Sequence, residues 1–318
     1  MFSRHDLSRN GSPSILFLMP YFGRWPEWMN LFLETCKWNP TIHWLFFTDC
    51  GEPANRCPNV RFVQMEKSEL EQLVLRKLSV RVQLDLTYKL CDLKPAYGII
   101  FEEFLEGVDY FGFGDIDVVF GDLRKFFTDA VLAYDIISAH SDRLSGHFCL
   151  LKNRRRVRNA FRLARTWQGD FQNPSYTCFD ESTFSRRVLG LGCKSLHRTV
   201  LRFLRGARFR LLAKETYSTI LSPNRPWLDG TRVYPSEWYW REGRLTNNKD
   251  NDREFPYLHF MNWKSSKYLM REHGQKSAWE VLDRLVNFND SRVSDGFCIS
   301  RFGFRTLERA ESQPSRAA

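Results

Sequence analysis

Two carboxylates interrupt an apolar, aromatic run: Asp115 and Asp117, inside residues 110–120. Residues i and i+2 of a strand share a face. If the run is a strand, both carboxylates aim at one spot at its end. Two unpaired buried charges would cost several kcal/mol. A divalent cation compensates them, and hard oxygen donors suit Mg²⁺, Mn²⁺ or Ca²⁺. The plain alternative is a solvated loop, but apolar residues at 108–113 and 118–120 argue against it.

Other chemical residues are scattered along the chain. Lys89 and Lys94 stand among apolar neighbours with Asp92 nearby. Such a lysine can bind phosphate or pair with a carboxylate; the bland reading is a surface lysine paired with Asp92. Asp49 follows an apolar run and precedes Gly51, so it either accepts hydrogen bonds from a ribose or base or caps a turn. Gly146 and His147 open a short apolar segment where small residues let a ligand approach the backbone. Asp180 and Glu181 precede a helix expected over 184–189. A capping role explains one of them more easily than both. His259 ends a second apolar segment, with Lys264 five residues later; a lone histidine there is structural or a ligand.

The elements that position these residues alternate in type. Residues 14–19 and 43–48 are continuous apolar runs, read as buried strands, with a helix over 28–38 between them. That is a parallel βαβ unit. Further strands are expected at 59–63, 134–138 and 149–151. Helices are expected at 68–78 (capped by Ser68 with Glu71), 88–104 despite Pro95, 154–167 and 278–288. The first strand ends at Pro20-Tyr21-Phe22-Gly23, a turn at the edge where open α/β sheets bind ligands. Residues 223–240 are expected as an ordered loop region and 247–254 as an exposed loop. The fold class is therefore α/β, with a mixed, mostly parallel central sheet flanked by helices. One domain spans 14–290, with a flexible leader at 1–13 and a polar, partly disordered tail at 291–318.

Bulk composition agrees with a globular protein: 318 residues, 43% hydrophobic and 15% aromatic, with ten Trp and 27 Phe. The net charge of +10 favours anionic partners. Residues 194–214 hold seven Lys or Arg and no acidic residue, which suits an anionic membrane surface or phosphate groups. The eight cysteines include no Cys-x-x-Cys pair and read as reduced thiols of a cytosolic protein. Cys50 and Cys57 could close a small loop if oxidised. No run reaches the ~20 apolar residues of a membrane span.

Taken jointly, these pieces resemble the GT-A glycosyltransferases. They are similar to an uncharacterised bacterial family of polysaccharide-glycosyltransferase-like proteins, over roughly residues 14–290. The shared pieces are Pro20 to Gly23, a Lys-x-x-Asp-x-Lys-Pro-x-Tyr-Gly stretch at 89–98, Gly114-Asp-x-Asp117 with Phe120-Gly-Asp122, Gly146 to Phe148, and Phe179 to Ser182. A more distant likeness is to family 8 and family 32 glycosyltransferases. It implies a GT-A (Rossmann-like) domain with a nucleotide-sugar half at about 14–125 and an acceptor half at about 126–290. It also implies that His259 completes the metal site and that Lys264 and Lys94 are the basic partners. The chain departs from family 8 at His147 and at the Asp180-Glu181 pair.

The resemblance implies metal-dependent transfer from a nucleoside-diphosphate sugar to a saccharide or lipid-linked saccharide, in surface polysaccharide biosynthesis. Asp115, Asp117 and His259 would hold Mn²⁺ or Mg²⁺. Pro20, Tyr21, Phe22, Gly23, Asp49, Lys94, Asp115, Gly146 and His147 would hold the donor. Asp180 or Glu181 would steer the acceptor hydroxyl, and Lys264 would stabilise charge on the leaving diphosphate. The protein is expected in the cytoplasm, or peripheral on the inner face of the membrane. One rival is a GT-A-like protein that binds a nucleotide sugar or glycan without catalysis. The other is a basic nucleic-acid-binding protein, disfavoured because no helix-turn-helix, zinc-finger or RNA-recognition signature is present.

Overall fold

Long apolar runs without alternation make strands covered on both faces. In the computed structural model, β1 (Ile15–Pro20) and β2 (Ile42–Thr48) are such strands, buried almost throughout. The structure describes residues 2, 11–53, 55–191, 208–216, 218–220, 226–250, 252–261, 263–264 and 291–307. The helix expected over 278–288, and residues 194–207 of the basic stretch, lie outside the described residues.

The remaining strands, in chain order, are β3 (Val60–Gln64), β4 (Tyr110–Gly114), β5 (Val118–Phe120), β6 (Ile136–Ser138), β7 (Phe148–Lys152) and β8 (Leu211–Ala213). They continue with β9 (Glu237–Arg241), β10 (Arg244–Asn247), β11 (Tyr257–His259), β12 (Phe297–Ser300) and β13 (Gly303–Thr306). The two longest α-helices among the described residues are α1 (Met29–Lys37) and α2 (Lys67–Leu78). Helix α2 starts one residue before the expected Ser68. A reciprocal capping box between Glu66 and Glu69 satisfies its first amides, so Ser68 is not the cap.

The chain divides into two compact units. The first takes the described residues up to 26, 39–116 and 123–216. Its seven-stranded sheet has the order β3-β2-β1-β4-β7-β6-β8. Strands β3, β2, β1 and β4 are mutually parallel, as are β6 and β8; β7 runs antiparallel to β4 and β6. The α/β expectation, with a mixed and mostly parallel sheet, agrees with this. The chain moves outward from β1 through β2 to β3, then returns to place β4 on the other side of β1. That reversal is a topological switch point, where the carboxyl ends of β1 and β4 border a crevice.

Residues 88–104 do not form the one helix expected. They are a chain of short turns at 87–89, 90–93, 94–96, 97–100 and 102–104, alternately 3-10 and α. Pro95 lacks the amide a continuous helix needs. In a regular helix, residues 89 and 94 would point ~140° apart. In the broken form both lysines are buried. The expected helix at 154–167 is likewise short pieces, Arg155–Arg158, Ala160–Leu163 and then Trp167–Gln172.

The second unit takes the described residues in 27–38, 117–122 and from 218 onward. Strand β5 pairs antiparallel with β11, and α1 packs on β5 through Phe32 against Phe120, ring centres 5.4 Å apart. The Trp240 indole donates to the Phe120 carbonyl at 2.8 Å. A four-stranded antiparallel sheet, β10-β9-β12-β13, carries Trp238, Trp240, Phe297 and Ile299 into an apolar core. Two expectations are corrected here. Residues 237–241 are a strand rather than a loop, and residues 297–306, part of the tail expected to be polar and partly disordered, are a hairpin. The reason is packing: Phe297 stacks on Trp240 at 4.9 Å, so the tail supplies core. No helix among the described residues is long and apolar enough to cross a membrane.

A close approach in the first sheet gives a test. A methyl group at Gly112 would lie 2.6 Å from the Phe17 ring and 2.8 Å from Leu150. Gly112→Ala should lower stability by about 1–3 kcal/mol through overpacking, read as a lower urea midpoint.

Candidate metal centre and its surroundings

Asp115 and Asp117 do not share a pleated strand. Strand β4 stops at Gly114 and β5 starts at Val118, so residues 115–117 are the connection between two ladders. The Asp115 amide donates to the His147 carbonyl (3.1 Å), extending the β4–β7 ladder. The Asp117 carbonyl accepts from the Phe260 amide (3.2 Å), extending the β5–β11 ladder. The expectation of a shared face is therefore corrected. The two side chains are fixed by different partners and differ in exposure, 36% for Asp115 and 6% for Asp117.

The buried Asp117 carboxylate is compensated within its own unit. Lys264 donates to Oδ2 at 2.6 Å, and His259 Nε2 lies 3.5 Å from the same oxygen. Burial pushes this carboxyl up, but the Lys264 ammonium and His259 outweigh it and hold it far below the usual carboxylate range. It is ionised at any working pH. His259 is the last residue of β11 and its amide donates to the Ser218 carbonyl (2.8 Å), which fixes the ring's root. The Lys264 ammonium also lies over the Trp28 ring, 5.1 Å from its centre. Trp28 gave no sign of this role in sequence, where it reads only as the edge of a helix.

Within the second unit, Asp117 and His259 can each offer one ligand atom, with His259 Nε2 3.5 Å from Asp117 Oδ2. A carboxylate oxygen beside an imidazole nitrogen is a donor pair that suits a small divalent cation.

A second cluster surrounds Asp115 and Lys94. The buried Lys94 ammonium donates to Asp115 Oδ1 (2.6 Å) and to the Gly146 carbonyl (2.9 Å). Burial pulls this ammonium down, but Asp115 and its neighbours more than offset it, so it stays charged. The expected role of Gly146 changes. A methyl group there would lie 2.7 Å from Asp180 Oδ2 and 3.0 Å from Glu181 Oε1. The missing side chain makes room for two carboxylates, and the Gly146 amide donates to Glu181 Oε1 (3.1 Å). The His147 side chain, expected at a donor, is buried with its ring against the Ser145 hydroxyl (3.1 Å). What His147 brings to the cluster is its backbone carbonyl.

Asp180 and Glu181 are separated by environment. They open a wide π-type helix, Phe179–Val188, in place of the helix expected at 184–189. Asp180 is buried, and its Oδ1 has no hydrogen-bond partner among the described residues. Burial raises its carboxyl to about 7, against the opposing pull of Lys94. The Glu181 side chain is 33% exposed and faces Arg143 at 3.7 Å. Glu181 can reach a ligand, whereas Asp180 holds or releases a proton beneath it.

The carboxyl ends of β1 and β2 bring the other expected residues together. Asp49 Oδ1 accepts the Gly23 amide (2.7 Å), and the Tyr21 amide donates to the Phe47 carbonyl (2.9 Å). Gly23 takes φ +106°, which a side chain would resist. Tyr21 stacks on Trp25 with ring centres 5.0 Å apart, while Phe22 points into the core. Asp49 thus shapes the Pro20–Gly23 turn, and Phe22 packs in the core. The seven described cysteines are free thiols, Cys50 and Cys57 included.

Asp180 makes stability depend on pH. Between pH ~4 and ~7 the folded chain keeps a proton that the unfolded chain has lost, so stability falls as pH rises, by up to about 1.4 kcal/mol per unit. Above the folded value the penalty is constant. Asp180→Asn should flatten this slope, so that urea midpoints measured from pH 5 to 8 fall less than in the wild type.

No curated protein matches the sequence. Residues 17–287 match a family of unknown function, DUF6625, and the chain belongs to that family.

Proposed function

We propose that the protein is a GT-A-like glycosyltransferase that moves a sugar from a nucleoside-diphosphate sugar to a saccharide or lipid-linked saccharide. The observation that carries this reading is the buried carboxylate Asp117 with His259 and Lys264 at 3.5 and 2.6 Å from the same oxygen. Asp115, Asp117 and His259 would hold Mn²⁺ or Mg²⁺, which supplies Lewis-acid stabilisation of a departing diphosphate.

The chain's own residues divide the remaining work. Asp117 is ionised and ready to ligate. Lys94 holds Asp115 in place through Oδ1 and so acts as a positioning residue rather than a phosphate contact. Lys264 supplies an ammonium beside Asp117 for developing negative charge. The Pro20–Gly23 turn, set by Asp49, offers backbone and the Tyr21 ring to the nucleoside. Glu181 is the accessible carboxylate for an acceptor hydroxyl.

The test is a panel of UDP-, GDP-, dTDP- and CMP-sugars, incubated with Mn²⁺ or with EDTA and assayed for nucleotide release. Release of one nucleotide with Mn²⁺ and none with EDTA is expected. Asp117→Asn should lower that release by at least ~100-fold while leaving far-UV circular dichroism unchanged. Near wild-type release by this variant would sink the metal assignment. Thermal stabilisation by a donor without release would favour the binding protein.

A further inference from the structure

The Lys89-x-x-Asp92 pair has no part in the chemistry above, yet its placement is costly. Both side chains are fully buried, with Lys89 Nζ 2.8 Å from Asp92 Oδ2. A buried ion pair is tolerated only when further hydrogen bonds satisfy both groups. Here those bonds all reach one stretch of chain. Lys89 donates to the carbonyls of Asp170 (2.5 Å) and Ser175 (3.1 Å). Asp92 accepts the amides of Thr177 (2.9 Å) and Phe179 (2.7 Å). The pair is a clamp on residues 170–179.

The clamp fixes an aromatic edge at the surface. Tyr88, directly before Lys89, is 57% exposed, and its ring meets Tyr176 at 4.8 Å and 87°. Tyr176 lies inside the clamped stretch and is half-buried. Two residues past Cys178 the chain reaches Asp180, and then the accessible Glu181. An exposed aromatic edge gains little from water and is held here at no ordering cost to a ligand. Its chemistry suits a sugar ring: the C–H face of a pyranose packs on an aromatic ring, and its rim hydroxyls need acceptors.

We propose that Tyr88 and Tyr176 form the platform for a pyranose ring of the acceptor saccharide, with Glu181 accepting its hydroxyls. The choice of acceptor as occupant rests on the glycosyl-transfer reading.

Saturation-transfer NMR on the full chain, without donor or metal, tests the platform. The probes are maltotriose, cellotriose, mannotriose and chitotriose. At least one should bind, about tenfold more weakly to Tyr88→Ala and with little change to Tyr88→Phe, because the ring face matters and the hydroxyl does not. Glu181→Gln, which keeps the fold, should also weaken binding. No binding of any probe by the wild type, or binding unchanged in Tyr88→Ala and Glu181→Gln, overturns the platform. Probe binding that depends on Tyr88, with no nucleotide release in the donor panel, keeps the platform and sinks the transfer reading. Metal-dependent release with probe binding indifferent to Tyr88 does the reverse.

Discussion

A carboxylate buried to the depth of Asp117 has to be neutralised in place, and the second unit is arranged around that need. Strand β11 must bring His259 to it, so β11 pairs with β5 in a register that sets His259 opposite Val118. The chain must then turn after Phe260 so that Lys264 returns to the same oxygen. Desolvation alone would favour the protonated acid, and the two basic groups reverse that preference. The outcome is an anion that does not titrate in the working range and that is presented beside an imidazole. Ion pairs of this kind are weak arguments for stability.

The lysines of the 89–98 motif solve two different problems. Lys94 reaches Asp115 and Gly146 and thereby ties the end of β4 to the loop before β7. Lys89 turns the other way, onto Asp92 and the 170–179 stretch. One short, Pro-broken segment thus orients a candidate ligand and anchors the entry to the Asp180–Glu181 turn. The break at Pro95 is what permits both, since a straight helix would aim only one lysine inward.

Much of the first unit was legible. Unbroken apolar runs marked β1 and β2, and the strand–helix–strand alternation implied parallel pairing. The turn at Pro20–Gly23 and the acid at Asp49 stood where strand ends should stand. Less legible was everything that depends on partners far away in sequence. Nothing local says that Asp115 and Asp117 belong to different ladders, because an apolar run reads the same whether it crosses one sheet or two. The tail at 297–306 read as polar disorder because its apolar residues alternate with polar ones, and only Trp240 reveals them as core.

The sequence by itself determined which groups are available: two carboxylates in an apolar setting, a late histidine with a lysine behind it, and an acidic pair before a helix. Their types follow from the residues, and so does the class of chemistry they can serve. Tertiary structure decided their states. Burial and a neighbouring carboxylate raise Asp180 to about 7, whereas Lys264 and His259 hold Asp117 ionised. Gly146 leaves space for two carboxylates, and the His147 ring is buried. The physical reason is that a charge's protonation and reach are set by the dielectric and the partners around it, and most of those partners come from chain segments distant in sequence.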